Sequence, residues 1–186
     1  MSHCLIVGGT GMLFEVSRRL AYEYDTVSVI GRNPRRFEAL RRETIHLKGN
    51  LDPLILDYTD DEKLTTEIEQ SIERYGDISL VVSWIHSNAP NGGSIIARIL
   101  NSKNKDFRYF NILGSSSADP SKDVIAPEYS KLSHIKYRDI ILGFKIENDV
   151  SRWLMDEEIS EGVLKAVNED NAHSIIGVVE PWEKRP

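Results

Sequence analysis

Short, continuous apolar runs alternate along the chain with longer segments whose apolar residues recur every three or four positions. Cys4 to Val7, Thr26 to Ile30, Leu54 to Leu56, Ile78 to Ile85, Phe107 to Leu113, Tyr137 to Ile146 and Ile175 to Val179 are the runs. They have the character of strands buried on both faces. Between them, Leu13, Val16, Leu20 and Tyr24 fall at helical spacing with Arg18 and Arg19 on the outer face, and Leu64, Ile68 and Ile72 mark a helix reaching about Tyr75. Pro34 opens a further helix running to about Arg42, at a position where proline is permitted. Asn91 to Ser94 introduces a helix with Ile95, Ile96, Ile99 and Leu100 inward. Ser151 to Leu154 leads into a last helix, about Asp156 to Asn168, whose first turn is acidic and whose inward residues are Ile159, Val163, Ala166 and Val167. The alternation predicts an α/β fold: one domain built on a doubly wound, mostly parallel sheet of about seven strands.

One connection breaks the rhythm. Only about twenty residues separate Ser117 from the strand beginning at Tyr137, and Pro120 and Pro127 interrupt them. The helix expected there is missing or cut to a stub.

Bulk properties narrow the function. With 186 residues the chain has ample length for a core, and its 40% apolar and 28% charged fractions are ordinary for a globule. A net charge of −6 without any long basic run argues against nucleic-acid binding. No apolar stretch reaches membrane-spanning length, and the first strand begins too early for a signal peptide. The lone cysteine, Cys4, excludes an internal disulfide and reads as a small apolar filler, in keeping with a cytoplasmic location.

The candidate chemistry begins where the first run breaks into Gly8-Gly9-Thr10-Gly11 and opens a helix. Glycines admit close backbone approach, and the helix start aims unpaired N–H groups and a positive dipole end at one spot; the arrangement suits a pyrophosphate. After the second strand comes Gly31-Arg32-Asn33-Pro34, with Arg35 and Arg36 beyond and no acid between Val27 and Arg36. In a dinucleotide fold an acid there holds the 2′-hydroxyl of NAD, whereas arginine accommodates the 2′-phosphate of NADP. The same cluster also reads as the solvated basic start of a helix. Trp84 and His86 stand at the carboxyl end of the fourth strand, where ligands of open α/β sheets bind.

The glycine turn resembles that of the short-chain dehydrogenase/reductase superfamily in its GxxGxxG form, with Phe14 in place of the third glycine. The resemblance implies a Rossmann fold holding NADP(H) on Gly8, Gly9, Thr10, Gly11, Met12, Leu13, Arg32, Asn33 and Arg36. It adds Asp57 and Tyr58 as adenine contacts, although Thr59 or Asp60 also suits a helix cap. Ser83 and Trp84 take the place of the superfamily's Asn-Ala-Gly beside the second ribose. Ser115 or Ser116 matches its catalytic serine by position, and a serine-rich turn accounts for them equally. The Tyr-x-x-x-Lys pair is absent: that spacing from Tyr129 lands on Ser133 and from Tyr137 on Ile141. Two readings follow. One is an NADP-dependent oxidoreductase acting on a small carbonyl compound, with Tyr129 or His86 as a substitute acid. The other is a catalytically inactive NADP(H)-binding sensor or partner subunit. No metal is implied, and the lost helix leaves homo-oligomerisation open because it often builds the superfamily's dimer interface.

Overall fold

The structure, a computed structural model, describes residues 1–122 and 125–186. In chain order it contains β1 (His3–Val7), α1 (Phe14–Glu23), β2 (Thr26–Gly31), α2 (Pro34–Thr44), β3 (Asn50–Ile55), α3 (Asp61–Tyr75), β4 (Leu80–Ser83), α4 (Gly92–Asn101) and β5 (Phe107–Gly114). Then follow β6 (Ile135–Leu142), β7 (Phe144–Glu147), β8 (Val150–Trp153), α5 (Asp156–Glu169) and β9 (His173–Ile176). Seven strands form one sheet in the order β3-β2-β1-β4-β5-β6-β9, every neighbouring pair parallel. The order reverses between β1 and β4, which sets the ligand crevice of such a sheet at their carboxyl ends.

The side-chain alternation of β1 divides the core. Cys4 and Ile6 pack with Leu13, Val16, Leu20, Leu40 and Val163 of the α1, α2 and α5 side. Leu5 and Val7 pack with Leu64, Ile68, Ile96 and Tyr109 of the α3 and α4 side. Each buried aliphatic side chain contributes about 1.5–3 kcal/mol to this two-faced core. At the opposite end from the crevice, His3, Ser28, Asp52 and Ser71 form a buried polar cluster. The His3 Nδ1 lies 2.7 Å from the Gly76 carbonyl and its Nε2 2.8 Å from the Ser28 hydroxyl, while Ser71 donates to Asp52 at 2.7 Å.

Several boundaries differ from the sequence expectation. The third strand is Asn50–Ile55, ahead of Leu54–Leu56; as an edge strand it alternates in burial and tolerates Pro53. The fourth ends at Ser83 rather than Ile85. The sixth stops at Leu142 instead of running to Ile146. Beyond Gly143 the chain enters an antiparallel hairpin, β7 with β8, so Ser151 to Trp153 is a strand. Asn148 and Asp149 both take positive φ, 51° and 62°, making the tight two-residue turn of that hairpin. The last strand, His173–Ile176, starts two residues early and stops before Gly177, φ +77°. Between β5 and β6 the described residues form two single-turn 3₁₀ helices, Ser115–Ala118 and Glu128–Lys131. No helix among the described residues is long and apolar enough to cross a membrane.

Candidate functional site

The glycine turn joins β1 to α1 at the reversal point. Gly8 takes φ +79° and its N–H donates to the Ile30 carbonyl at 3.0 Å, tying the turn to β2. Gly9 plays a packing role: a Cβ there would strike the Ser17 hydroxyl and lie 2.8 Å from Val29 Cγ1 and 2.9 Å from Ile6 Cγ2. Gly9 thus supplies the close helix–strand approach that a third glycine gives elsewhere, and Phe14 in that place is accommodated. Ser17 reinforces it by donating to the Gly9 carbonyl at 2.8 Å. No side chain caps α1, and the turn's own hydrogen bonds use the N–H groups of Gly8, Gly11 and Phe14. Among the described residues the Met12 and Leu13 amides, at the positive end of the helix, make no such backbone hydrogen bond.

This turn floors a cleft of about 500 Å³. Gly8, Thr10, Gly11 and Met12 line it from β1–α1; Ile30, Gly31, Arg32, Asn33 and Arg36 from the end of β2 and the start of α2; and Tyr58, Trp84 and His86 from the ends of β3 and β4. Asn33 caps α2 by accepting from the Arg35 N–H at 3.0 Å, which fixes that helix start. Arg36 reaches back over the turn, its Nη1 3.4 Å from where a Cβ on Gly11 would sit. Arg32 meets Asp57 at 3.5 Å with its side chain 67% exposed. So open an ion pair contributes under about 1 kcal/mol.

Four residues expected at the cofactor lie outside the cleft lining. Gly9 and Leu13 serve packing, and Leu13 is fully buried. Ser83 is fully buried in β4, where among the described residues its hydroxyl has no hydrogen-bond partner. Asp57 turns onto Thr59: the Thr59 N–H at 3.0 Å and hydroxyl at 2.8 Å, with Arg32 adding, hold its carboxyl below the usual range. Asp60 caps α3 by accepting from Lys63 N–H, so only Tyr58 of that segment faces the cleft. Sequence reasoning missed Ile30 and Gly31 as lining. Gly31 carries a signal in retrospect, because a Cβ there would stand 2.9 Å from the Thr10 hydroxyl.

The candidate catalytic residues do not converge. His86 lines the cleft, edge-on to Trp84 at 5.2 Å between ring centroids. Ser115 is 5% exposed and its hydroxyl accepts from Arg185 Nε at 2.7 Å. Ser116 opens into a separate cavity of about 430 Å³ beside Tyr137 and Asp139. Tyr129 joins neither cleft; its ring packs on Tyr109 and Tyr137, at 5.5 and 5.9 Å, with its hydroxyl against Gly93 at the start of α4. Burial, with Tyr109 and Tyr137 beside it, pushes the Tyr129 phenol far up, and burial raises Tyr109 to about 12. Lys131 lies 3.8 Å from Glu128 at the surface. The ammonium that would lower a phenol pKa is therefore not on the tyrosine.

Solved structures match this arrangement over nearly its whole length. A short-chain type dehydrogenase/reductase from Mycobacterium marinum superposes with a TM-score of 0.72, at 13% identity, over 95% of this chain and 93% of the other. The fold is that of the short-chain dehydrogenase/reductases. A β-ketoacyl-[ACP] reductase from Bacteroides thetaiotaomicron matches at TM-score 0.70 and 17% identity, over 95% of this chain and 97% of that one. An actinorhodin polyketide ketoreductase crystallised with NADPH matches at 0.70 and 14%, over 94% of each. No protein-family model and no curated protein sequence matches the chain.

Proposed function

We propose that this protein is an atypical relative of the short-chain dehydrogenases that binds NADP(H) in the cleft between β1 and β4 and does not turn it over. The observation that carries the reading is the pair of arginines, Arg32 and Arg36, lining the same cleft as the glycine turn, with Arg36 Nη1 reaching over Gly11. Guanidinium forks suit a ribose 2′-phosphate and the neighbouring diphosphate, and the cleft lining contains no carboxylate to hold a bare 2′-hydroxyl. Gly11 fits this use, because a Cβ there would meet only Arg36 Nη1 and the Gly8 carbonyl, at 3.4 and 3.9 Å, and so would project into ligand space.

The absence of turnover follows from the proton donors. Tyr129 is half-buried among tyrosines with its pKa raised, the reverse of what a general acid needs near neutral pH. Ser115 already accepts a charged hydrogen bond. His86 favours the other reading, an oxidoreductase with a substitute acid, because it alone of the four catalytic candidates lines the cleft. Incubating the protein with NADPH and a panel of aldehydes, ketones and quinones, while following the nicotinamide absorbance, separates the two. A binder leaves the absorbance unchanged at cofactor saturation. Rapid oxidation lost in His86→Ala establishes the oxidoreductase instead.

A further inference from the structure

A doubly wound sheet takes a dinucleotide as two halves, one over each side of the reversal point. In this protein the two sides differ. Over β1, β2 and β3 the cleft is open and lined by Arg32, Arg36 and Tyr58. Over β4 and β5 the Trp84 side chain bounds the cleft, and the cavity of about 430 Å³ at Ser116 lies apart from it, over β5 and β6. The Trp84 indole spans from β1 to β5, with Cδ1 3.6 Å from where a Cβ on Gly8 would sit and Cη2 3.9 Å from that of Gly114. It is half-buried against the α1–α5 core, so it does not swing aside without exposing that surface. Next to Gly114, the Ser115 hydroxyl is held by Arg185 at 2.7 Å. That guanidinium is itself stacked between Trp153 and Trp182, 5.1 and 5.3 Å from the ring centroids.

Resting on the NADP(H) reading above, we infer that the site recognises the 2′-phosphoadenosine diphosphate half of its ligand and excludes the nicotinamide. The protein therefore binds oxidised and reduced cofactor alike, and equally a 2′-phosphoadenosine nucleotide with no nicotinamide at all. The selecting contacts are the arginines and the glycine turn, and Trp84 is the wall.

Calorimetric titration of the unmodified protein with NADPH, NADP⁺, 2′-phospho-ADP-ribose and nicotinamide mononucleotide tests this. The first three should bind within about fivefold of one another, and the mononucleotide should give no measurable heat. NADPH binding more than about fivefold tighter than 2′-phospho-ADP-ribose overturns the exclusion while leaving the cofactor reading in place. Measurable mononucleotide binding overturns it too. If neither NADPH nor 2′-phospho-ADP-ribose binds, the cofactor reading fails and takes this inference with it.

Discussion

Arg185 and Ser115, seventy residues apart, are joined by a hydrogen bond of 2.7 Å from the guanidinium Nε to the serine hydroxyl. The contact places Arg185 on one of the two serines, Ser115 and Ser116, that the resemblance marks by position. Ser115 here anchors the 180–186 segment. Ser115→Ala should cost about 1.5–3 kcal/mol in urea unfolding, the usual worth of a hydrogen bond to a charged group, and leave NADPH affinity unchanged. A large loss of affinity in this variant contradicts the structural role.

The glycine turn separates packing from binding. At Gly9 a Cβ would collide with Ser17, Val29 and Ile6, so Gly9→Ala should destabilise by about 1–3 kcal/mol. At Gly11 the side chain would enter the cleft, so Gly11→Val should keep its unfolding midpoint and lose NADPH binding. Thermal melts with and without NADPH check both. Normal binding by a folded Gly11→Val protein puts the site elsewhere.

His3 gives the fold a pH dependence. Burial lowers its pKa, and the Gly76 hydrogen bond, Asp52 and Asp77 oppose that only in part. The unfolded chain gains a proton near pH 6.5, and the folded chain does so only at lower pH. Stability is therefore full above about pH 6.5 and declines as the pH falls through that value toward the folded pKa. Urea midpoints at pH 7.5 and 5.5 should drop for the wild type and drop less for His3→Gln. Equal drops rule out His3 as the source.

Tyr129 should be dispensable for any residual chemistry. A phenol with so high a pKa and no ammonium beside it is a poor proton donor, and general acid catalysis is worth about 10²–10⁴ in rate. Tyr129→Phe should leave NADPH oxidation on carbonyl substrates at the wild-type background. A hundredfold fall, about 10² in rate, would assign it the role of acid after all.

The strand–helix rhythm carried most of the fold, because Leu5, Ile6 and Val7 belong to a strand buried on both sides and the helices show their inner faces every three or four residues. The hairpin of β7 and β8 was missed, because the apolar run that continues across Gly143 hid the break and the two-residue turn at Asn148-Asp149 went unread. The Asx turn from Asp57 onto Thr59, which lies outside the cleft lining, could not be read from position alone. Trp84 was placed at the strand end correctly, yet the direction of its ring is a rotamer set by tertiary packing. The Arg185–Ser115 pair has no local pattern to announce it, since its partners meet only once the chain is folded.

The central claim is that Arg32 and Arg36 make this an NADP(H) site. Its most direct test is the affinity of the wild type and Arg32→Ala for NADPH and NADH, measured by calorimetry. Losing a charged hydrogen bond to the 2′-phosphate costs about 1.5–3 kcal/mol, or roughly 10–150-fold. NADPH should bind the wild type at least about tenfold tighter than NADH, and Arg32→Ala should remove most of that preference. Equal affinities for the two cofactors in the wild type would contradict the account.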